Sequence, residues 1–421
     1  MKRELIFWST LLGIQIYSQA QQDITINKSL TSVDSILALS FNKVEELNTG
    51  DKLNEKARPF GKNRNEHLFT QEASYTGDLV GNLTGGKKTG AVYLGIANIK
   101  IGFETKNIGL WECGEFFING AATHGSMPSE KLFGDFQVAS NIEAGNHTYL
   151  HELWYKHTFE NVQIKFGLQD LNSEFVTNEY AGSFINSSFG IPSLISDNIP
   201  VPIFPLTALG ISGKYHINED ITVQAALFDG LPESFENNQY NLNWNVSDND
   251  GVLVFTELQF SASINNLPGT FKTGYYHHSH LRESNEKTGI SETIFDNNYG
   301  FYAVVDQTIF EANDNCGLGL FAQLAVSPGN INMHNYYLGG GIHYQGLFDD
   351  NGEDSFGLAF ANAGFNRDEM KNETTIEMFY KTTVTENLFL QPDIQYIINP
   401  AGSESKLNNA LAVFMRFGIN F

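Results

Sequence analysis

Residues 388–421 read LFLQPDIQYIINPAGSESKLNNALAVFMRFGINF. Two alternating segments flank a polar turn. In the second, Leu411, Val413, Met415, Phe417, Ile419 and Phe421 share one face, and Ala412, Phe414, Arg416, Gly418 and Asn420 share the other. Successive side chains of a strand point to opposite faces, so this is a two-faced strand that runs to the last residue. Termini of soluble domains tend to fray into water. A final aromatic strand instead suits a membrane barrel, whose last strand pairs with its first and leaves no edge. The competing reading is a buried strand of a soluble sandwich.

Composition favours the barrel. Charged residues make up 17% of the chain and aromatics 13%, with 33 Phe, 17 Tyr and only 11 Pro. That mixture fits strands with one apolar and one polar face. Residues 1–20 carry a basic start (Lys2, Arg3), an apolar run over 5–17 and the small-residue close Ser18-Gln19-Ala20, the layout of a signal peptide. No later run is long and apolar enough for a membrane helix. Residues 21–68 form a polar leader in which 32–47 has the spacing of a short amphipathic helix. The net charge of −23 disfavours nucleic acid as a partner. Cys113 and Cys316 are free to pair or not, and no CxxC or zinc-type spacing exists.

From residue 69 the alternation repeats about sixteen times, a common size for outer-membrane pores. The predicted strands are 70–78, 91–104, 114–122, 148–159, 162–170, 209–217, 221–229, 252–262, 270–278, 299–310, 317–327, 334–346, 355–365, 374–384, 388–398 and 410–421. From the fourth strand onward the links alternate in length. Glu160-Asn161, Asn218-Glu219-Asp220, 263–269 and Thr385-Glu386-Asn387 are short, whereas 171–207, 230–251 and 281–298 are long. Short turns on one rim and long loops on the other are expected of an outer-membrane barrel, and a sandwich gives no reason for them.

Polarity assigns the faces. Glu152, Trp154, Lys156 and Thr158 oppose Tyr149, Leu153, Tyr155 and Phe159. Gln163, Lys165 and Gln169 oppose Val162, Ile164, Phe166 and Leu168. Glu257 and Gln259 oppose Val254, Leu258 and Phe260, and Gln391, Asp393 and Gln395 oppose Leu390, Ile394 and Tyr396. The polar sets belong in a watery lumen, because a charge facing lipid costs roughly 2–4 kcal/mol at mid-depth. Tyr149, Tyr155, Phe159 and Phe421 are expected in an aromatic girdle.

At these residues the chain resembles the OprB-type carbohydrate-selective porins. The matching fragments, in order, are Gly77-Asp78 with Gly85-Gly86, HELWYKHTFENVQIKFGLQD (151–170), PVPIFPLTALGISGKY (200–215), ALFDGLPE (226–233), YAVVDQTIF (302–310), LFAQLAVSP (320–328) and LQPDIQYIINPAG (390–402). The resemblance implies a sixteen-stranded outer-membrane pore that passes small sugars by diffusion, with a long loop folded inward. Segment 171–207 occupies that loop's place, and Phe175, Phe184 and Phe189 are its constriction candidates. The family lines its narrow region with arginine, whereas here only Arg416 lies on a lumen face, and Gln323 stands where arginine often follows Leu-Phe-Ala.

A sugar in transit needs amides, carboxylates and cations for its hydroxyls and aromatics for its ring face. Glu152, Trp154, Lys165, Gln169, Glu257, Asp306, Gln323, Asp393, Gln395 and Arg416 fit by type and facing. Each is also readable as a paired lumen charge that touches no sugar. Glu152, Glu257, Asp306, Glu377 and Asp393 nearly balance Lys156, Lys165, Lys214, Lys272, Lys381 and Arg416, so neutral sugars are expected to pass with weak ion selectivity. The alternative is a general or small-acid diffusion pore. His277, His278 and His280 read as a surface cluster rather than a metal site. No GxSxG or HExxH is present, so no enzyme or cofactor is expected, a hydrolytic barrel being the remote alternative. Expected partners are sugars as solutes, outer-membrane lipid, the barrel-assembly machinery through Phe421, and, for oligomeric state, a monomer or a trimer.

Overall fold

In a computed structural model the protein is described over residues 68–421, apart from 248–249, 280–296, 314, 368–369 and 404–406. The expected signal segment, the leader with its helix, His280 and Arg282 lie outside the described residues. Sixteen antiparallel strands close into a barrel. They are β1 (Thr70–Gly86), β2 (Gly90–Glu104), β3 (Gly114–Gly125), β4 (His147–Phe159), β5 (Val162–Gln169), β6 (Ala208–His216), β7 (Ile221–Asp229) and β8 (Val252–Ile264). The second half comprises β9 (Leu267–His278), β10 (Asn298–Asn313), β11 (Cys316–Val326), β12 (His334–Gln345), β13 (Asp354–Phe365), β14 (Glu373–Thr385), β15 (Leu388–Ile398) and β16 (Asn408–Asn420). Each pairs with its neighbours in sequence, and β1 pairs with β16 from Ser74↔Asn420 through Asp78↔Arg416. No strand edge is left to recruit another chain.

Alternation produces the two surfaces. Ile99, Phe166, Ile211, Phe301, Leu338 and Met415 are exposed on the outside, where lipid would cover them. Most of the tight turns gather on one rim, the three-residue β1–β2 link (87–89) lying on the other. At the β8–β9 turn, Asn265 and Asn266 both have positive φ, the backbone of a two-residue hairpin whose twist matches its strands. The β1 start and the β16 end share that rim.

Two loops from the other rim fold into the lumen. The third loop, residues 170–207, carries short helices at Ser187–Gly190 and Ser193–Asn198. Phe175, Phe184 and Phe189 are buried in one apolar cluster with Phe255, Phe321 and Phe379 from the wall. Burying each ring is worth about 1.5–3 kcal/mol. Residues 126–146 form a second inward loop that sequence reading passed over. Its Leu132 and Phe133 pack with Val80, Leu94 and Phe414 of the wall.

Two face assignments are corrected. Asn119 pairs with Glu152 and Gly120 with Leu150, which leaves His151 as an extra residue in β4. A bulge flips parity beyond it. Tyr149 therefore turns away from lipid, 4% exposed, with its ring 4.7 Å from Phe235. His278 is not a surface residue either. It is 1% exposed, and its Nε2 lies 2.7 Å from the Gly230 carbonyl. Both cysteines are free.

Candidate functional site: the lumen constriction

Most of the bonds that hold the inward loops come from one side of the barrel and the charged pairs gather on the other, although the second loop also rests on β1 and β2. On the first side, β7–β15, polar side chains reach loop backbone. Asp306 of β10 accepts the N–H groups of Glu179 and Tyr180, both at 3.0 Å. Glu377 of β14 accepts those of Ile185 and Asn186 at 2.5 and 3.0 Å. Glu257 of β8 accepts the Val176 N–H at 2.9 Å, together with Gln224 and the Tyr302 hydroxyl. Gln323 donates to the Phe189 carbonyl at 2.8 Å and accepts the Tyr337 hydroxyl. Gln395 donates to the Ala139 carbonyl, and Asp393 lies against Gln395. Lys272 donates to the Thr177 hydroxyl at 2.6 Å.

The second loop is tied in the same way. Glu373 accepts from Phe136, Gln137 and Ala401 at 2.7, 2.9 and 2.6 Å. The two loops also bond each other, through Asn141 N–H to the Ile185 carbonyl and Ser187 N–H to the Val138 carbonyl.

Arg416 does not present a free guanidinium to the channel, contrary to the sequence expectation. Its Nε and one terminal nitrogen grip the two oxygens of Asp78 at 2.7 and 2.8 Å, and Asn141 takes a third bond. Ser140 donates to the same carboxylate at 2.7 Å. Asp78 and Arg416 are direct cross-strand partners at the β1–β16 seam. Type and facing, which sequence reports, place Arg416 on the inner face correctly. They cannot report the loop that comes down over it.

On the facing wall, β1–β6, the side chains meet each other. The Trp154 ring stacks on Phe117 at 4.8 Å, and the ammonium groups of Lys165 and Lys156 lie 5.2 and 5.5 Å from its centre. Its indole N–H reaches Glu152 at 3.2 Å. Lys156 pairs with Glu115 at 2.7 Å and Lys100 with Glu72 at 3.0 Å. Glu174, from the start of the third loop, is forked between Lys165 at 3.1 Å and Lys214 at 2.7 Å. Burial pushes its carboxyl up, but the two lysines outweigh burial and hold it at about 2. Gln169 is consumed locally, donating to the Gly210 carbonyl and accepting the Ser212 hydroxyl. Lys156, Gln163, Lys165, Glu174, Lys214 and Gln224 line a pocket open to the lumen.

The structure thus brings Glu152, Trp154 and Lys165 together and sets Glu257, Asp306, Gln323, Asp393 and Gln395 under the loops. Sequence reading missed Asp78, Glu115, Glu174 and Glu373. It also missed the small inner residues Gly339, Gly341, Gly357, Ala359, Ala361 and Ala363. Small residues at inward positions of two adjacent strands were a readable signal that a loop packs there. A Cβ on Gly357 would lie 2.7 Å from the Phe184 ring.

A sixteen-strand barrel narrowed by two inward loops is the architecture expected of a porin, and comparison with known proteins supplies the family. A family model described as carbohydrate-selective porin, OprB family, matches residues 88–421. Porin B of Pseudomonas aeruginosa is 25% identical over 401 residues, with 82% of this chain and 86% of that protein covered. A putative porin QuiX of Acinetobacter baylyi is 23% identical over 314 residues, 65% of this chain and 69% of that one. The high-pH structure of Pseudomonas putida OprB superposes with a TM-score of 0.76 at 22% identity, covering 84% of this chain and 94% of that one. This chain belongs to the OprB family of carbohydrate-selective porins.

Proposed function

We propose that this outer-membrane porin passes small neutral sugars, mono- and disaccharides, into the periplasm by passive diffusion. The observation that carries the reading is the pairing of charge along the facing wall. Lys100, Lys156, Lys165 and Lys214 meet Glu72, Glu115 and Glu174 in ion pairs. A ring of one sign selects ions, whereas paired charges leave hydroxyl-bearing solutes to trade water for protein hydrogen bonds. Trp154 supplies the apolar surface that a pyranose ring needs. Glu152, Trp154, Lys165, Lys214 and Glu174 are the residues assigned to the sugar path. The barrel-assembly machinery is the partner assigned to Phe421.

Two measurements test this on the purified protein in planar bilayers and liposomes: reversal potential in a salt gradient, and swelling with mono- and disaccharides beside charged solutes. Weak ion selectivity with sugar-dependent current block is expected. Strong selectivity for either sign, with no effect of sugars, would leave a general or small-acid pore.

A further inference from the structure

We propose that Asp306, Glu373 and Glu377 are positioning residues that set the bore of the pore, each doing so by gripping consecutive backbone N–H groups of an inward loop. The pattern recurs three times: Asp306 takes residues 179 and 180, Glu377 takes 185 and 186, and Glu373 takes 136 and 137. A loop led into a barrel has backbone donors that neither a helix nor a sheet will satisfy. Two adjacent N–H groups pointing one way match the two oxygens of one carboxylate, and such charge-assisted bonds are stronger than neutral ones. All three carboxylates are nearly or fully buried.

Their places in the ring give the pattern its consequence. Glu373 and Glu377 lie on the inner face of β14, separated along that face only by Thr375. One strand therefore holds the second loop and the third. On the other side of the lumen, Glu174 fastens the third loop to Lys165 of β5 and Lys214 of β6. β6 and β14 stand opposite each other in the closed order. The third loop is a strut tied at both ends, and its height across the lumen follows from the clamp. These carboxylates are not offered as sugar contacts. They act through the loop, on the width left beside Trp154.

An amide in place of the carboxylate keeps one acceptor but points an NH₂ at the second N–H, so one bond of the pair becomes a repulsion. Glu377→Gln, Glu373→Gln and Asp306→Asn are each measured in planar bilayers without sugar, and then for swelling with a trisaccharide. Glu160→Gln, on an exposed turn, is the control. The expected result is higher single-channel conductance and admission of a trisaccharide that the parent excludes, in barrels that remain folded and heat-resistant. Asp306→Glu, which restores the charge, should recover more of the parent's size limit than Asp306→Asn does. Parental conductance and size limit in folded Gln and Asn variants would overturn the assignment. Should Glu377→Gln fail to assemble, Asp306→Asn carries the same expectation, because Glu257, Lys272 and Gln323 still hold that loop. The inference rests on the porin reading for its choice of solute. Conductance without sugar tests the clamps alone, so failure of the sugar reading would be seen separately.

Discussion

At the scale of single residues, the structure reassigns Arg416, the one arginine on a strand among the described residues. Its pairing with Asp78 is buried at the seam where β1 meets β16, roofed by Ser140 and Asn141. Breaking one side of such a pair strands the other charge and costs about 3–5 kcal/mol. Asp78→Ala and Arg416→Ala are therefore expected to lower the temperature at which the folded barrel converts to the unfolded band on gels. Their effect on sugar passage should be smaller than that of Lys165→Met. The opposite order would return Arg416 to the channel. A second residue-scale prediction concerns pH. Burial, reinforced by Asp306, pushes the loop carboxyl Glu179 from 4.5 to about 7, against the pull of Lys272. Its folded value lies above its unfolded one, so the folded pore keeps this proton at mildly acidic pH and loses it as pH rises through about 7. Burial and Asp135 raise Glu143 of the second loop to about 7 as well. Reversal potential should shift toward cations between about pH 6 and about pH 8, and the shift should shrink in Glu179→Gln. Glu174, held near 2, should add nothing to it.

At the scale of elements, much of the barrel was legible because the period of two is a local property. β7 and β15 have the ends that alternation predicted, and the other strands lie within three residues of theirs, except β1, which runs to Gly86 and not to Asp78. What alternation cannot see is a residue that changes the count, and His151 in β4 is such a residue: from Leu150 backward, the faces exchange. Nor can alternation see what a loop lands on, since that is a contact between distant parts of the chain. The acids Glu257 and Asp306 looked like sugar ligands by type, and in the structure Asp306 takes two loop N–H groups while Glu257 takes the Val176 N–H, Gln224 and the Tyr302 hydroxyl. The surface that receives the third loop is equally specific. Gly357 leaves room for Phe184 and Phe379, whose rings would lie 2.7 and 2.3 Å from an added Cβ. Gly357→Val is expected to lift the loop off its seat at a cost of roughly 1–3 kcal/mol of overpacking. In bilayers this should appear as raised conductance together with lowered heat resistance. Unchanged values of both would mean that the wall yields instead of the loop.

At the scale of the whole molecule, closure and the chain's final aromatic are separate matters. Closure is carried by the ladder from Ser74↔Asn420 inward and by the Asp78–Arg416 pair on its lumen side. Phe421 adds one backbone bond to it, from its N–H to the Ala73 carbonyl at 2.9 Å. The residue is 79% exposed and packs little protein surface. A side chain so placed stabilises the finished barrel by far less than the about 1.5–3 kcal/mol of a fully buried one. If Phe421 matters, it matters before the barrel closes, while the last strand is still being presented for pairing. Deleting Phe421 should therefore reduce the amount of folded protein that reaches the outer membrane, while the barrels that do form keep parental heat resistance and conductance. Two results would count against this. Unchanged membrane levels would remove the assembly role, and a marked fall in the heat resistance of the folded fraction would make the residue a structural part of the closed sheet. The first is read from membrane fractions, and the second from the gel shift of the same samples.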